Sequence, residues 1–460
     1  MKLIGLDIGT TSVCGVLMDA ETGQVARTVS RPNRSGLESP RDWEFIQDAA
    51  AILRTVEDVA RELREGEPDI GGIGVTGQMH GIVYVDERGI PVSPLYTWQD
   101  QRGDLLADGD VSYVERLRRL TGYSVATGYG MATHYYHVAT GTVPAEAASF
   151  CTIPDFVAAR LAGRSKPATD PTNAASLGLY RLDALAFDAE ALAKAGIDPA
   201  LLPEPVRSGA VIGATRDGIP VACAIGDNQA SFLGSVGDIR KSLLVNVGTG
   251  SQISAYTEEY GQWEEIDTRP FPGGGYLLVG ASLSGGKSYA LLERFFRETG
   301  ALFAGAEQAE LYEIMNRLAE EPPADGTELT VRTRFFGTRA DPRALGAIEN
   351  IGPANFTPRH LVHGFLEGMI AELRRYYDAF PAKVKEWLDT IVASGNGVRR
   401  NRALCRRLER SFGYPLEVPA FPEEAACGAA LSAGVGCGAY PDFGRAGAKK
   451  MNLRRSDGSD

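Results

Sequence analysis

Leu6-Asp7-Ile8-Gly9-Thr10-Thr11-Ser12, near the start of the chain, has a second version far downstream, Val245-Asn246-Val247-Gly248-Thr249-Gly250-Ser251. Each is a β-type apolar run ending in a turn of glycine and hydroxyl residues, and each is followed by a further apolar run, residues 13–18 and 252–256. A strand, a tight turn and a returning strand gather backbone N–H groups and hydroxyls at one point. Such an array binds phosphate oxygens, so two of them predict a grip on a polyphosphate from both sides. The first version carries Asp7 where the second carries Asn246. A carboxylate is poorly suited to bare phosphate but holds Mg²⁺, directly or through water.

At 460 residues the chain is too long for one core, and two domains are expected. A hydrophobic content of 44% with 54 glycines fits an α/β protein with many tight turns. The net charge of −12 argues against nucleic-acid or anionic-membrane partners, which need a basic face. It leaves room for ATP, which is held by local donors and metal. The six cysteines form no C-x-x-C pair, and several sit in apolar runs, so a reduced, cytoplasmic protein is expected. The N-terminus enters a strand with no basic or secretory segment, and no run has the length of a membrane helix.

The paired turns divide the chain. Strands are predicted at 3–8, 13–18, 72–76 and 81–86, with a helix over 44–64 begun by Asp42 or Pro40 and carrying Ile46, Ile52, Val56, Val59 and Leu63 on one face. Residues 220–227 read as a strand ending at an acid, and a helix follows from Asn228. A domain junction near Gly237 gives an N-terminal domain of 1–237, a C-terminal domain of 238–448 and a polar tail of 449–460, expected to fray. In the second half the pattern gives a strand at 276–281, helices at 286–299, 307–320, 357–379 and 383–389, a strand at 390–393, and helices at 399–412 and 423–436.

Four constellations could carry chemistry. Asp227, in Gly226-Asp227-Asn228-Gln229, stands where a buried strand meets a helix. A carboxylate there can accept the proton of a sugar hydroxyl as that oxygen attacks a γ-phosphoryl group; as plain structure it would be a helix N-cap. Thr76-Gly77-Gln78-Met79-His80-Gly81 brings directional hydrogen-bonding groups close to a small ligand, or is an ordinary hairpin turn. In Trp98-Gln99-Asp100-Gln101-Arg102 an indole can cover a sugar's apolar face while Asp100 accepts from its hydroxyls and Arg102 fixes the carboxylate; a surface loop with an ion pair is the plain alternative. Ser394-Gly395-Asn396-Gly397 lets adenine and ribose lie against backbone, with Arg399, Arg400 and Asn401 after it. The helix start at Glu423-Glu424-Ala425-Ala426 is small-residue and expected to pack beside that turn. Ala281-Ser282-Leu283-Ser284-Gly285-Gly286-Lys287-Ser288 imitates a P-loop, but Ala281 stands where a P-loop needs glycine. His134/His137 and His360/His363 lack a third ligand at zinc-like spacing and read as packing or surface histidines.

Taken in order, these motifs resemble those of the FGGY carbohydrate kinases over nearly the whole chain. The resemblance implies two actin-like (ribonuclease H-like) α/β domains around a deep cleft, with ATP and Mg²⁺ as cofactors and Asp227 as catalytic base. It implies sugar contacts from Gln78, Met79, His80, Trp98, Asp100, Asp227 and Asn228. ATP contacts are implied for Thr10, Thr11, Ser12, Gly248, Thr249, Gly250, Ser251, Gly286, Gly395, Asn396, Gly397 and Asn401, and metal contacts for Asp7 and Asp227. Leu95-Tyr96-Thr97-Trp98-Gln99-Asp100, Asn173-Ala174-Ala175-Ser176 and Ala281 to Gly286 look like the sedoheptulokinase branch; xylulokinases usually show Trp-Asn-Asp where this chain has Trp98-Gln99-Asp100. Two places depart from the family: His134-Tyr135-Tyr136-His137 replaces a basic-aromatic segment usually containing Lys, and Gly364 breaks a helix signature. The expected partners are a small sugar and ATP, with a homodimer left open. Two other classes fit parts of the pattern: an actin-like ATPase with water as acceptor, which leaves Gln78, Met79 and His80 without a task, and a sugar sensor without turnover, which leaves Asp7 and Asp227 without one.

Overall fold

The computed structural model describes residues 1–305, 309–323, 326–338, 341 and 343–448, and the backbone of 453–455. The chain forms two compact units. One is Met1–Ile239 with Arg269–Tyr276 and Glu423–Asn452; the other is Arg240–Thr268 with Leu277–Pro422 and Leu453–Asp460.

The first unit begins with β1 (Lys2–Ile8) and β2 (Ser12–Asp19), an antiparallel hairpin, followed by β3 (Val25–Pro32). Helix α1 (Ala49–Arg64) buries Ile52, Val56, Val59, Ala60 and Leu63, the three-and-four spacing of one face. Burial of each large aliphatic on that face stabilises by about 1.5–3 kcal/mol. The helix starts later than Asp42 or Pro40: Ile46 and Gln47 are held extended by pairing with Tyr96 and Leu95. Asp48 then caps it, Oδ1 accepting from the N–H groups of Ala50 (2.8 Å) and Ala51 (3.0 Å).

Strand β4 (Ile70–Gly77) lies parallel to β1. Far along the chain come β5 (Val211–Ala214), β6 (Pro220–Ala222), β7 (Ile225–Gly226) and α2 (Asp227–Ser235). The sheet order is β5-β6-β4-β1-β2-β3, with β7 alongside β4 beyond β6. Its core lies between this sheet and α1, through Ile4, Leu6, Val13, Val56, Leu63 and Val75 among others.

The second unit repeats the opening plan. β8 (Ser242–Val247) pairs antiparallel with β9 (Ser251–Thr257). β10 (Tyr276–Ser282) leads into α3 (Gly285–Ala304), and α4 (Tyr312–Glu320) and α5 (Pro358–Asp378) follow. β11 (Thr390–Ser394) lies parallel to β8, as β4 does to β1. Two helices, α6 (Asn396–Arg400) and α7 (Arg402–Phe412), and then β12 (Leu416–Pro419) complete the order β10-β9-β8-β11-β12. Val362, Phe365, Leu366, Met369, Ile370 and Leu373 turn one face of α5 into its core.

Helix α8 (Glu424–Gly436) belongs to the first unit. Its expected place beside the Gly395 turn is not where it packs: it lies on β1, β4 and α2. The approach is backbone to backbone. A Cβ on Gly5 would fall 1.8 Å from the Ala426 carbonyl oxygen, one on Gly74 1.8 Å from that of Ala429, and one on Gly428 1.9 Å from that of Ala230. The smallness of this helix serves that contact. Of the tail, residues 453–455 form β13 (Leu453–Arg455), antiparallel to β12; residues 449–452 and 456–460 lie outside the described residues. Among the described residues no helix is long and apolar enough to cross a membrane.

Candidate active site

The carboxyl ends of three parallel strands, β1, β4 and β7, stand level in the first unit. Thr76 pairs with Asp7 on one side and with Ile225 on the other, and Gly77 pairs with Ile8 and Gly226. Thr76 Oγ1 donates to the Ile225 carbonyl (2.7 Å), and Gln78 N–H to that of Ile8 (2.9 Å). Asp7, Gln78 and Asp227 are thereby gathered at one sheet end, where ligands bind in α/β sheets.

Asp227 is not the helix cap. Gly226 occupies that position and no side chain caps α2; the Asp227 carboxylate stands in the first turn, beside the Asn228 N–H. Burial pushes it up to about 6, against the opposing pull of Arg269 and the Asn228 N–H. Burial, and then the negative charge of Asp227, pushes Asp7 up to about 7. Met79 fills the space beside them: a Cβ on Gly226 would lie 2.5 Å from Met79 Cε.

The 9–12 turn is tied down by its carbonyls. Asn33 Nδ2 donates to Gly9 O (3.0 Å), Asn33 N–H to Thr11 O (2.9 Å), and Gln47 Nε2 to Thr10 O (3.1 Å). Gln78 Nε2 donates to Gln47 Oε1 (2.9 Å), joining the end of β4 to that turn. Gln78 Oε1 and Asn228 Oδ1 are buried acceptors with no donor among the described residues. Buried acceptors of this kind are completed by a ligand or water.

His80 sits at φ +74°, a left-handed conformation that a non-glycine residue holds only when its surroundings enforce it. Its Nδ1 bonds the Ser176 carbonyl (2.8 Å), its N–H donates to Ser176 Oγ (3.3 Å), and its ring stacks on Tyr129 at 4.3 Å. A carbonyl only accepts, so Nδ1 carries a proton, and in the neutral imidazole Nε2 is the acceptor.

Trp98 is 46% exposed and donates its indole N–H to Thr10 Oγ1 (3.1 Å). Asp100, expected to accept from sugar hydroxyls, is instead completely covered. Arg102 Nε and Nη2 and the N–H groups of Phe45 and Arg102 occupy its oxygens. It braces the wall that Trp98 presents. Behind it Arg102 donates to His137 Nε2, and Tyr84 Oη bonds both His137 Nδ1 (3.0 Å) and His134 Nδ1 (2.7 Å). Burial holds both imidazoles far below their usual range, His134 at about 4 and His137 at about 3. They are packing histidines, as their spacing suggested.

In the second unit the 248–251 turn is seated on the start of α3. Gly286 N–H donates to Gly248 O (3.0 Å) and Lys287 N–H to Thr249 O (2.9 Å). A Cβ on Gly286 would lie 2.2 Å from Gly248 O, which explains the glycine in the P-loop-like stretch. These N–H groups hold the turn, and Gly248 N–H is taken by Gly250 O, so phosphate donation by Gly286 or Gly248 N–H is not what the fold provides. Gly395, at φ +90°, passes so close to β8 that a Cβ would meet Val247 O at 2.6 Å.

A cavity of about 1100 Å³ opens beside this turn, lined by Gly248, Thr249, Gly286, Asn396, Gly397 and Asn401. Gly250, Ser251 and Gly395 shape the turns without lining it. Arg400, named beside the Gly395 turn, lines it too, and Lys287, Tyr289, Tyr312 and Asn316 line it without having been assigned to it. Tyr289 follows Gly286 by three residues, so helical spacing from that motif was an available signal; Tyr312 and Asn316, four apart on their own helix, had none. Asn316 is fixed: Oδ1 accepts from Tyr289 Oη (3.2 Å) and Asn401 Nδ2 (3.0 Å), and Nδ2 donates to Arg400 O (3.1 Å).

Among the described residues no group of three or more His, Cys, Asp or Glu forms a metal cage. Asp7 and Asp227 still fit Mg²⁺, which takes one or two carboxylates and completes its shell with water and substrate phosphates. Each is a desolvated acid, and Asp7 also feels the charge of Asp227, which a divalent cation would relieve.

Residues 2–241 match the FGGY family of carbohydrate kinases, N-terminal domain, and residues 243–437 its C-terminal domain. The chain is 28% identical to a mouse sedoheptulokinase over 93% of its own length and 96% of that protein. It is 28% identical to a xylulose kinase of Streptomyces coelicolor over 94% and 87% of the two chains. The solved xylulose kinase of Rhodospirillum rubrum superposes with a TM-score of 0.83 at 24% identity, covering 99% of this chain and 93% of that one. Fold and relatives together define an ATP-dependent carbohydrate kinase. The chain belongs to the FGGY family of carbohydrate kinases.

Proposed function

We propose that the protein phosphorylates the terminal hydroxyl of sedoheptulose, giving the 7-phosphate and ADP, with Asp227 as general base. The observation that carries the base is its position: an uncapped carboxylate at a strand end, raised to about 6, near the operating pH of a general base. Asp227 takes the hydroxyl proton as that oxygen attacks the γ-phosphorus and the bond to the bridging oxygen of ADP breaks. Mg²⁺, when bound at Asp7 and Asp227, supplies charge neutralisation for the phosphate oxygens. Gln78 Oε1 and Asn228 Oδ1 accept from sugar hydroxyls, His80 Nε2 does the same, and Trp98 covers the sugar's apolar face. The cavity beside the 248–251 turn seats the nucleotide, with Asn396 and Gly397 against the adenosine.

The choice of sugar rests on the sedoheptulokinase relative, which the alignment spans almost end to end. A pentulose such as xylulose is the second reading, favoured by the similarly extensive match to a xylulose kinase. ADP release with Mg²⁺ and ATP, measured against sedoheptulose, D-xylulose, D-ribulose, glycerol and no sugar, separates them. Turnover strongly favouring sedoheptulose supports the reading. A pentulose preference keeps the mechanism and replaces the sugar, and equal release without sugar points to an ATPase.

A further inference from the structure

The short helix Pro171–Leu177 holds the backbone at Gly226 and at His80 with one chemical device used twice. Thr172 Oγ1 donates to Asp170 Oδ1 (2.6 Å) and accepts the N–H of Gly226 (2.7 Å), the residue before Asp227. One turn later Ser176 Oγ donates to the Asn173 carbonyl (2.8 Å) and accepts the N–H of His80 (3.3 Å). A hydroxyl has one proton and two lone pairs. In each case an acceptor on or next to the helix takes the proton, which leaves a lone pair for a backbone N–H outside the helix, that of Gly226 or of His80.

The device is rigidly held. Thr172 is 1% exposed, Ser176 5% and Asp170 0%. Asp170 caps the helix through Thr172 N–H and Asn173 N–H, both at 3.0 Å, and its second oxygen accepts from Ser208 Oγ (2.6 Å). The Ser176 carbonyl also fixes the His80 ring. Neither Thr172 nor Ser176 is placed to react; each acts through the residue whose N–H it holds.

We propose that Thr172 and Ser176 are positioning residues that set the general base and the sugar-binding histidine from a single helix, Thr172 governing turnover and Ser176 governing sugar affinity. The proposal rests on the assignment of Asp227 as base and of His80 as a sugar contact.

Steady-state kinetics of four variants with the preferred sugar test it. Thr172→Val keeps the shape and removes the acceptor; kcat should fall about tenfold, one hydrogen bond's worth, with the KM for ATP unchanged. Thr172→Ser restores the hydroxyl and should stay close to wild type. Ser176→Ala should raise the KM for sugar about fivefold and leave kcat intact. Asp227→Asn reports on the underlying assignment. If that variant turns over normally, the base is wrong; if it is inactive while Thr172→Val matches wild type, only the positioning proposal fails. Equal falls in kcat and sugar affinity for both hydroxyl variants, or a Thr172→Ser as impaired as Thr172→Val, would also overturn it. Should Thr172→Val not fold, the split between KM and kcat in Ser176→Ala decides.

Discussion

Arg102 holds Asp100 by two bonds, Nε to Oδ1 at 2.6 Å and Nη2 to Oδ2 at 3.0 Å, where the side chains are only 3% and 0% exposed. Glu44 adds a third contact at 3.1 Å. Removing one member of such a pair strands the other without water. Arg102→Ala is therefore expected to lose about 3–5 kcal/mol in urea unfolding at pH 7. Arg102→Lys should also be impaired, since an ammonium cannot reproduce the fork. A loss below about 1 kcal/mol, the size of an exposed pair, would mean Asp100 finds another partner.

Asp227→Asn keeps the volume and removes the base. Its kcat is expected to fall by roughly 10²–10⁴, with sugar binding by calorimetry largely kept. A folded variant with near-normal turnover would remove Asp227 from the role.

Asp7 is raised to about 7 by burial and by Asp227. The folded state therefore keeps this proton at a pH where the unfolded chain has released it. Stability contributed by the neutral acid is lost as pH climbs from about 4, the ordinary carboxylate value, to about 7. Asp7→Asn should accordingly melt higher than wild type at pH 8 and match it near pH 4. An advantage that does not grow with pH would show that Asp7 is not strained by its charge.

A methyl group at Gly5 would sit 1.8 Å from the Ala426 oxygen, and both partners are backbone in regular elements. Gly5→Ala should destabilise by at least the 1–3 kcal/mol typical of overpacking. An unchanged melting temperature would show that α8 can move off β1.

The residues that mark backbone geometry were legible in the sequence. Glycines and hydroxyls betrayed both hairpin turns, and an acid after an apolar run betrayed the strand end at Asp227. What depends on a distant partner was not. Asp48 rather than Asp42 caps α1 because Tyr96 and Leu95 hold the preceding residues extended. The hold of Arg102 on Asp100 was legible, but not the Phe45 N–H from far upstream or the complete burial of that carboxylate. Tyr312 and Asn316 reach the cavity from a helix with no motif of its own, and α8 found a neighbour some four hundred residues upstream in Gly5.

Because α8 completes the layer over β1 and β4, most of the second unit is threaded into the first as an insertion. During synthesis the opening hairpin must wait for about the last twelfth of the polypeptide before that face is covered. A nascent chain stopped at residue 241, where the first family domain nominally ends, should bind hydrophobic dye and be cut readily by protease. A peptide of residues 423–448 supplied in trans should reverse both, and a protease-resistant fragment without it would show that the first unit matures alone.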